Sequence, residues 1–376
     1  MNSIKILHCA DLHIGAAESS LGALRDNRRA ETLITFEKII NLARDNDVDI
    51  LLIAGDLFNS NNIESTFLDS VFQCLTQIPN TKIVFSAGNH DPLNAESPFK
   101  KYELPKNISV LDTKDCFVEF PELKTRVYGR SFKEVYMRGS ARFSISTDDN
   151  FINLMCLHGE YRADLGSDYN SITNEFIENS GMDYIALGHV HKRSEIAKLG
   201  KTHFAYCGCP EGQGFDELGE KGVYLGTVSK TNCELQFVPT AKRMHICENV
   251  DVCGCLSSNE ISQKILEILN QKYGQAFAEN LYKIVLIGNI DEQTVISVPE
   301  ITARLSETLY FAKVRNKTEY KVDFEQLSKE NTLKGIFVKN MLQKINLASD
   351  DEKQQLKAAL NIGIKAFGGE VTYDED

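Results

Sequence analysis

Ile50-Leu51-Leu52-Ile53-Ala54-Gly55-Asp56 is a run of five apolar residues closed by a glycine and a carboxylate. A run without polar alternation suits a strand buried on both faces, as in a parallel sheet. Four more runs repeat the pattern. Ile4-Lys5-Ile6-Leu7 leads to Asp11 and His13, and Ile83-Val84-Phe85-Ser86-Ala87-Gly88 leads to Asn89 and His90. Ile152-Asn153-Leu154-Met155-Cys156-Leu157 ends on His158, and Tyr184-Ile185-Ala186-Leu187-Gly188 leads to His189 and His191. In open α/β sheets the ligand site lies just beyond the carboxyl ends of the strands. One Asn, two Asp and five His are therefore expected on one rim.

Carboxylate and amide oxygens mixed with imidazoles suit a divalent first-row metal, manganese first, with iron or zinc as alternatives. The donors outnumber those a tetrahedral zinc takes. Two ions sharing one carboxylate account for the excess, and Asp56 is the central candidate. Two such ions clamp an in-line displacement at phosphorus and acidify water, so the residue types point to phosphoester hydrolysis. Taken singly, each residue has a plainer reading. A His after a strand is ordinarily a satisfied core or surface residue. An Asp there is a cap or turn residue, and Gly88-Asn89 is an ordinary turn dipeptide. Jointly these readings fail, because six of the eight histidines crowd the strand ends, counting His8 beside the first run. His8 reads as a core or supporting residue. His203 and His245, without motif context, read as structural.

Asp11-Leu12-His13, Gly55-Asp56, Gly88-Asn89-His90-Asp91, His158 and Gly188-His189-Val190-His191 resemble, in order and spacing, the calcineurin-like metallophosphoesterases. More narrowly, Leu7-His8-Cys9-Ala10-Asp11-Leu12-His13-Ile14-Gly15 with Gly55-Asp56-Leu57-Phe58 resembles the SbcD- and YhaO-like DNA-repair exonuclease branch. So does Phe215-Asp216-Glu217-Leu218-Gly219-Glu220-Lys221-Gly222. The resemblance implies an α/β fold of two packed mixed β-sheets flanked by helices, with a smaller α/β capping domain and C-terminal helices. It implies two divalent ions, manganese foremost. Asp11, His13, Asp56 and His191 would hold the first, and Asp56, Asn89, His158 and His189 the second. His90 would contact the scissile phosphate and protonate the leaving oxygen. One position departs: the family's Gly-Asp-x-x-Asp ends in the carboxylate that orients the catalytic His, and here it is Asn59. An amide oxygen accepts the His N–H but does not stabilise imidazolium as a carboxylate does. Asp91, directly after His90, is the candidate substitute. The implied partners are DNA, an SMC-like coiled-coil ATPase and a second copy of the chain.

At 376 residues the chain is long enough for two domains and a sizeable core. Its net charge of −12 argues against broad nonspecific binding of nucleic acid, which Lys and Arg drive. The charge of two bound ions offsets this locally. Basic residues gather at Arg126 and Arg130, at Arg138 and Arg142, and at Lys192 with Arg193; a solvated face is the plain reading. No apolar stretch approaches the ~20 residues of a membrane span, and no basic region precedes an apolar signal at the start. The expectation is a soluble, cytoplasmic protein without membrane contact. Cys9, Cys74 and Cys156 lie in apolar runs as small buried hydrophobes. Cys207-Gly208-Cys209 and Cys253-Gly254-Cys255 have spacers too short for the usual zinc pairs and read as reduced structural cysteines.

The segment 29–46 places Leu33, Phe36, Ile40 and Ala43 on one helical face, and 65–75 does the same with Leu68, Val71, Phe72 and Leu75. Residues 1–240 are expected to form the site-bearing domain. Residues 241–322 read as a small α/β domain, with a helix opened by the capping pattern Ser257-Ser258-Asn259-Glu260. Residues 323–376 carry two helical stripes: Leu333, Ile336, Phe337 and Leu342, then Leu356, Leu360, Ile364 and Phe367. Such stripes ordinarily pack on their own domain; the sharper reading is a dock for a partner helix. The leading expectation is a metal-dependent DNA exonuclease or endonuclease of repair. A small-molecule or nucleotide phosphodiesterase on the same fold, and a non-catalytic scaffold, stay open, because function lives in the surroundings of the site.

Overall fold

The computed structural model describes residues 3–16, 19–140, 146–162, 166–291 and 294–367. Two compact units result: Met1–Glu248 with Glu267–Ile284 and Thr302–Lys313, and Asn249–Leu266 with Val285–Ile301 and Val314–Asp376.

In the first unit the apolar runs are the strands Ser3–Cys9, Ile50–Ala54, Lys82–Ser86, Ile152–His158 and Tyr184–Gly188. They divide between two sheets. The first three run parallel in a six-stranded sheet, extended by Ile108–Val110 on one side and by antiparallel Gly222–Ser229 and Cys233–Pro239 on the other. The other two are parallel neighbours in a second six-stranded sheet, between Thr125–Arg130 and Thr202–Tyr206, with Cys116–Phe120 and Ala197–Leu199 as antiparallel edges. This is the expected pair of mixed sheets.

The period of two explains why the runs are unbroken. Ile4, Ile6, Ile50, Leu52 and Val84 cluster with Leu154, Cys156, Tyr184 and Ala186 between the sheets. Their alternates Leu7, Cys9, Leu51 and Ile53 pack on Phe36, Ile39 and Ile40 of the helix Arg25–Asp45 and on Leu68 and Val71 of the helix Ser65–Thr76. Met155, Leu157, Ile185 and Leu187 face away onto Ile177 and Met182. Both faces of each strand are thus buried, so polar alternation has no place. His8 is a strut between the sheets. Its Nε2–H donates to Leu187 O at 3.2 Å and its Nδ1 accepts from Tyr184 Oη at 2.9 Å. Complete burial pushes its pKa down to about 3, so it stays neutral, as a supporting residue should.

Farther along, Leu281–Ile287 is the middle strand of three, between His245–Asp251 and Phe311–Asn316, with the helices Ser258–Tyr273 and Val298–Ser306. These elements lie within 241–322, and both compact units draw on the segment. At the start of the first of these helices, Ser257 Oγ accepts from Glu260 N at 3.3 Å. The Glu260 carboxylate reaches back to Leu256 N at 2.9 Å rather than to Ser257 N, one residue off the reciprocal box.

In the second unit the helices Leu333–Leu347 and Asp350–Phe367 pack through Val338, Ile345, Leu360 and Ile364, joined by Val322, Phe324 and Leu327. The two stripes differ in what they meet. Leu360 and Ile364 are buried inside the pair, whereas Leu333 and Ile336 are 80% and 56% exposed. The reason is helical phase: Ile336 lies roughly 200° around the helix from Val338, so both cannot face the same neighbour. Among the described residues no helix is long and apolar enough to cross a membrane.

Candidate metal centre

The rim is made of strained backbone. Asp11, His13, Asp56 and His189 have φ of +53°, +46°, +51° and +101°. Residues other than glycine seldom hold such angles, at about 1–3 kcal/mol each, unless their surroundings over-determine them. Here they do. Asp11 N donates to Gly55 O at 3.0 Å, His13 N to Asp56 O at 2.9 Å and Ile14 N to Leu57 O at 2.9 Å, zipping the loops after the first two strands together. Two glycines keep the space clear. A Cβ on Gly55, at φ +89°, would strike the His158 imidazole, and one on Gly88 would strike the Asp56 carboxylate.

All seven candidate ligands come together. Asp56 Oδ2 lies 3.4 Å from His158 Nε2 and 3.7 Å from His13 Nε2, so this carboxylate stands between two sets of donors. Asp11 accepts from His189 N at 2.9 and 3.1 Å and lies 3.8 Å from His158 Nδ1. His13 Nε2 and His191 Nε2 are 3.1 Å apart. Asn89 Oδ1 is 2.9 Å from His158 Nε2 and 3.2 Å from His189 Nδ1. One donor atom each from Asp11, His13 and His191 lie within 4.8 Å of one another, as do those of Asp11, Asp56 and His158.

The donor chemistry fits divalent cations. His158 Nδ1 donates to Ala54 O at 3.0 Å. Its Nε2 then faces two acceptors, Asn89 Oδ1 and Asp56 Oδ2, so a proton or a cation must lie between them. Burial opposes charge on His158, yet Asp56 and Asp11 outweigh it and hold its pKa up at about 9. A cation held there would take the place of that proton. Burial pushes His13 down to about 3 and His189 down to about 4, leaving neutral imidazoles as donors.

His90 sits exposed at the lip, its ring edge-on to His13 with centroids 4.6 Å apart. Its Nδ1 donates to the main-chain O of Asn59 at 3.2 Å. The expected contact through the Asn59 carboxamide is therefore replaced by one through the backbone, which any residue at this position can supply. Asp91 does not substitute for it either. Its fully buried carboxylate accepts from Gly88 N at 2.8 Å, Phe58 N at 3.1 Å and Asp56 N at 3.2 Å, pinning the loop after Ala54 to the turn before His90. Burial raises the Asp91 pKa to about 7.

The profile of the calcineurin-like phosphoesterases matches residues 4–193. The chain belongs to this family. An uncharacterized metallophosphoesterase, YhaO of Bacillus subtilis (strain 168), is 29% identical over 253 residues, 63% of this chain and 60% of that protein. The DNA double-strand break repair protein Mre11 of Saccharolobus solfataricus is 24% identical over 348 residues, 85% of this chain and 84% of that protein. Mre11 of Methanopyrus kandleri is 24% identical over 240 residues, and there the chain spans 52% of the relative.

Around the candidate centre stand residues to which the sequence assigns no role. The Tyr169 ring lies 4.7 Å from that of His189, and the Tyr136 ring lies 5.8 Å from Tyr169. Tyr136 is 56% exposed, with the Arg138 guanidinium 5.9 Å from its ring centre. No periodicity marks these tyrosines, because the strands Met137–Ser140 and Tyr169–Ile172 are too short to show one. Glu217, on the outer nitrogen of His191, lay inside a block known only by resemblance. The basic residues mostly pair with carboxylates: Arg126 with Glu119 at 2.7 Å, Arg138 with Asp168 at 2.8 Å and Arg130 with Asp115 at 3.6 Å. Arg193 lies over the Phe237 ring, and Arg142 falls outside the described residues. His245 is buried edge-on to Phe215, and all ten cysteines are free thiols.

Proposed function

We propose that the chain is a dinuclear-metal-dependent phosphodiesterase that cuts DNA, as a repair exonuclease or endonuclease. The carrying observation is the position of Asp56 between His13 and His158. Asp11, His13, Asp56 and His191 would hold one ion, and Asp56, Asn89, His158 and His189 the other. The mixture of oxygens and imidazoles favours manganese. Ions bound there supply Lewis acidity at a phosphoryl oxygen and lower the pKa of water. The chain's own residues supply orientation and a proton. With Nδ1–H committed to Asn59 O, protonation at Nε2 arms His90 as the acid for the leaving oxygen.

Two observations support DNA as the substrate. Curated relatives carry the name DNA double-strand break repair protein. The Tyr136–Tyr169–His189 series of rings also offers a stacking surface for a base next to the scissile phosphate. Such stacking contributes about 1–3 kcal/mol per base. The net charge of −12 and the paired arginines favour a second reading, a nucleotide or small-molecule phosphodiesterase. In the first reading, residues 241–322 act as the capping domain. Residues 323–376 receive a helix of a coiled-coil ATPase through the exposed Leu333, Ile336, Leu347 and Ile362. A cytoplasmic location goes with it.

The test offers the purified chain, with manganese, labelled duplex, single-stranded and hairpin DNA beside bis(p-nitrophenyl) phosphate. DNA cleavage that fades in Tyr136→Ala more than turnover of the small diester does is the expected result. Turnover of the small diester with intact DNA would assign the second reading. Bound metal with no turnover of any substrate would leave only a scaffold.

A further inference from the structure

His191 differs from the other candidate ligands in what holds its outer nitrogen. Glu217 Oε1 accepts the His191 Nδ1–H. Glu217 Oε2 in turn accepts from Gln213 N at 2.8 Å and from Cys209 Sγ at 3.4 Å. The main-chain O of His191 is gripped as well, by Lys221 Nζ at 3.1 Å and Cys209 N at 3.2 Å. His158, by contrast, gives its Nδ1–H to the neutral Ala54 O, and His189 Nδ1 faces the Asn89 amide. Glu217 and Lys221 both belong to the stretch 215–222.

We propose that Glu217 is the positioning residue of the first ion. It holds His191 in the Nδ1–H tautomer, so that Nε2 turns its lone pair toward His13 Nε2, and its charge strengthens the imidazole as a donor. The proposal rests on the two-ion reading of the centre. A carboxylate behind a ligating imidazole typically contributes about 10–100-fold in metal affinity. The charge matters beyond the shape. Glutamine at 217 keeps the volume, but its oxygen is required by Gln213 N and Cys209. Its NH2 must then face His191, Nδ1 becomes the acceptor, and the proton moves to Nε2 where the ion is to bind. Cys209 lies close enough to ligate together with His191 and Glu217, their donor atoms being within 4.8 Å of one another. Its thiol instead donates to Glu217, which makes it part of the brace.

The test measures manganese binding to the full chain by competition with a chromophoric chelator, for wild type and Glu217→Gln. The 15N imidazole spectrum of the metal-free wild type accompanies it. Two ions should bind the wild type. In the variant one should weaken by about 10–100-fold while the other is unchanged, and His191 should show the Nδ1–H tautomer in the wild type. Should the variant fail to fold by circular dichroism, the wild-type tautomer decides. Equal affinities in the two proteins, or an Nε2–H tautomer, would overturn the role of Glu217 and leave the two-ion reading standing. A third ion, bound by the wild type and lost in the variant, would overturn it too, by making Glu217 and Cys209 ligands. Fewer than two ions in the wild type would sink the two-ion reading itself, and this inference with it.

Discussion

At the rim, Asp11, His13, Asp56 and His158 are between 0% and 2% exposed, and each meets at least one other titratable group of the centre. In the C-terminal helix pair, Leu333 and Leu347 are 80% and 89% exposed, while one small cluster around Val338, Ile345, Leu360 and Ile364 holds the helices together. The contrast is between polar groups that constrain one another several ways at once and apolar groups that share one small cluster. At the rim a change at one residue must be felt by its neighbours. In the helix pair it stays local, and apolar surface remains for something else to cover.

Asp56→Ala is the most damaging change this contrast foresees. It removes the carboxylate proposed to bridge the two donor sets, so both ions should be lost along with turnover. Elemental analysis of the purified variant checks it: two tightly retained ions would show that Asp56 does not bridge.

His90→Asn should keep metal and fold and lower turnover by about 10²–10⁴-fold, the usual contribution of a general acid. A variant that loses metal instead would place His90 in the coordination shell. That outcome has a structural basis to exclude, since His13, Asp56 and His90 also bring one donor atom each within 4.8 Å.

Removal of residues from Asn331 onward tests the other side of the comparison. Hydrolysis of bis(p-nitrophenyl) phosphate should stay nearly intact, because the candidate ligands and His90 lie in the first unit and the removed residues in the second. A truncated chain that is soluble, folded and inactive on the small diester would contradict the separation.

Asn59→Asp should have the smallest effect. His90 is oriented by the Asn59 carbonyl, and the Asn59 side chain is exposed. Exposed substitutions of this kind usually shift stability by no more than about 0.5 kcal/mol, and turnover should change little. A marked rise in turnover, or a displaced pH–rate profile, would show that a carboxylate at 59 reaches His90 after all.

Much of the centre was legible before any coordinates. Unbroken runs such as 50–54 and 184–187 announce strands buried on both faces, and the residue after each run is read from the chain directly. The Asp and His residues that end them are chemically conspicuous, and their number alone argues for two ions. The helices over 25–45 and 65–76 were visible for a similar reason, since apolar residues at a spacing of 3.6 have one outlet.

What the order of residues leaves open is which group stands opposite which. A period of two marks a strand's faces without naming the sheet it joins, so the division of five runs between two sheets came from packing. The Asn59 carbonyl, rather than its amide, meets His90 because backbone geometry aims it there, and a main-chain acceptor leaves no signature in residue type. Asp91 turns inward to three backbone N–H groups instead of toward its neighbour His90. Glu217 reaches His191 from 26 residues away, across a loop that only the folded chain closes. In the C-terminal helices the stripe was visible but its phase was not: periodicity says that a face exists, and only the neighbouring helix decides that Val338 lies inside and Ile336 outside.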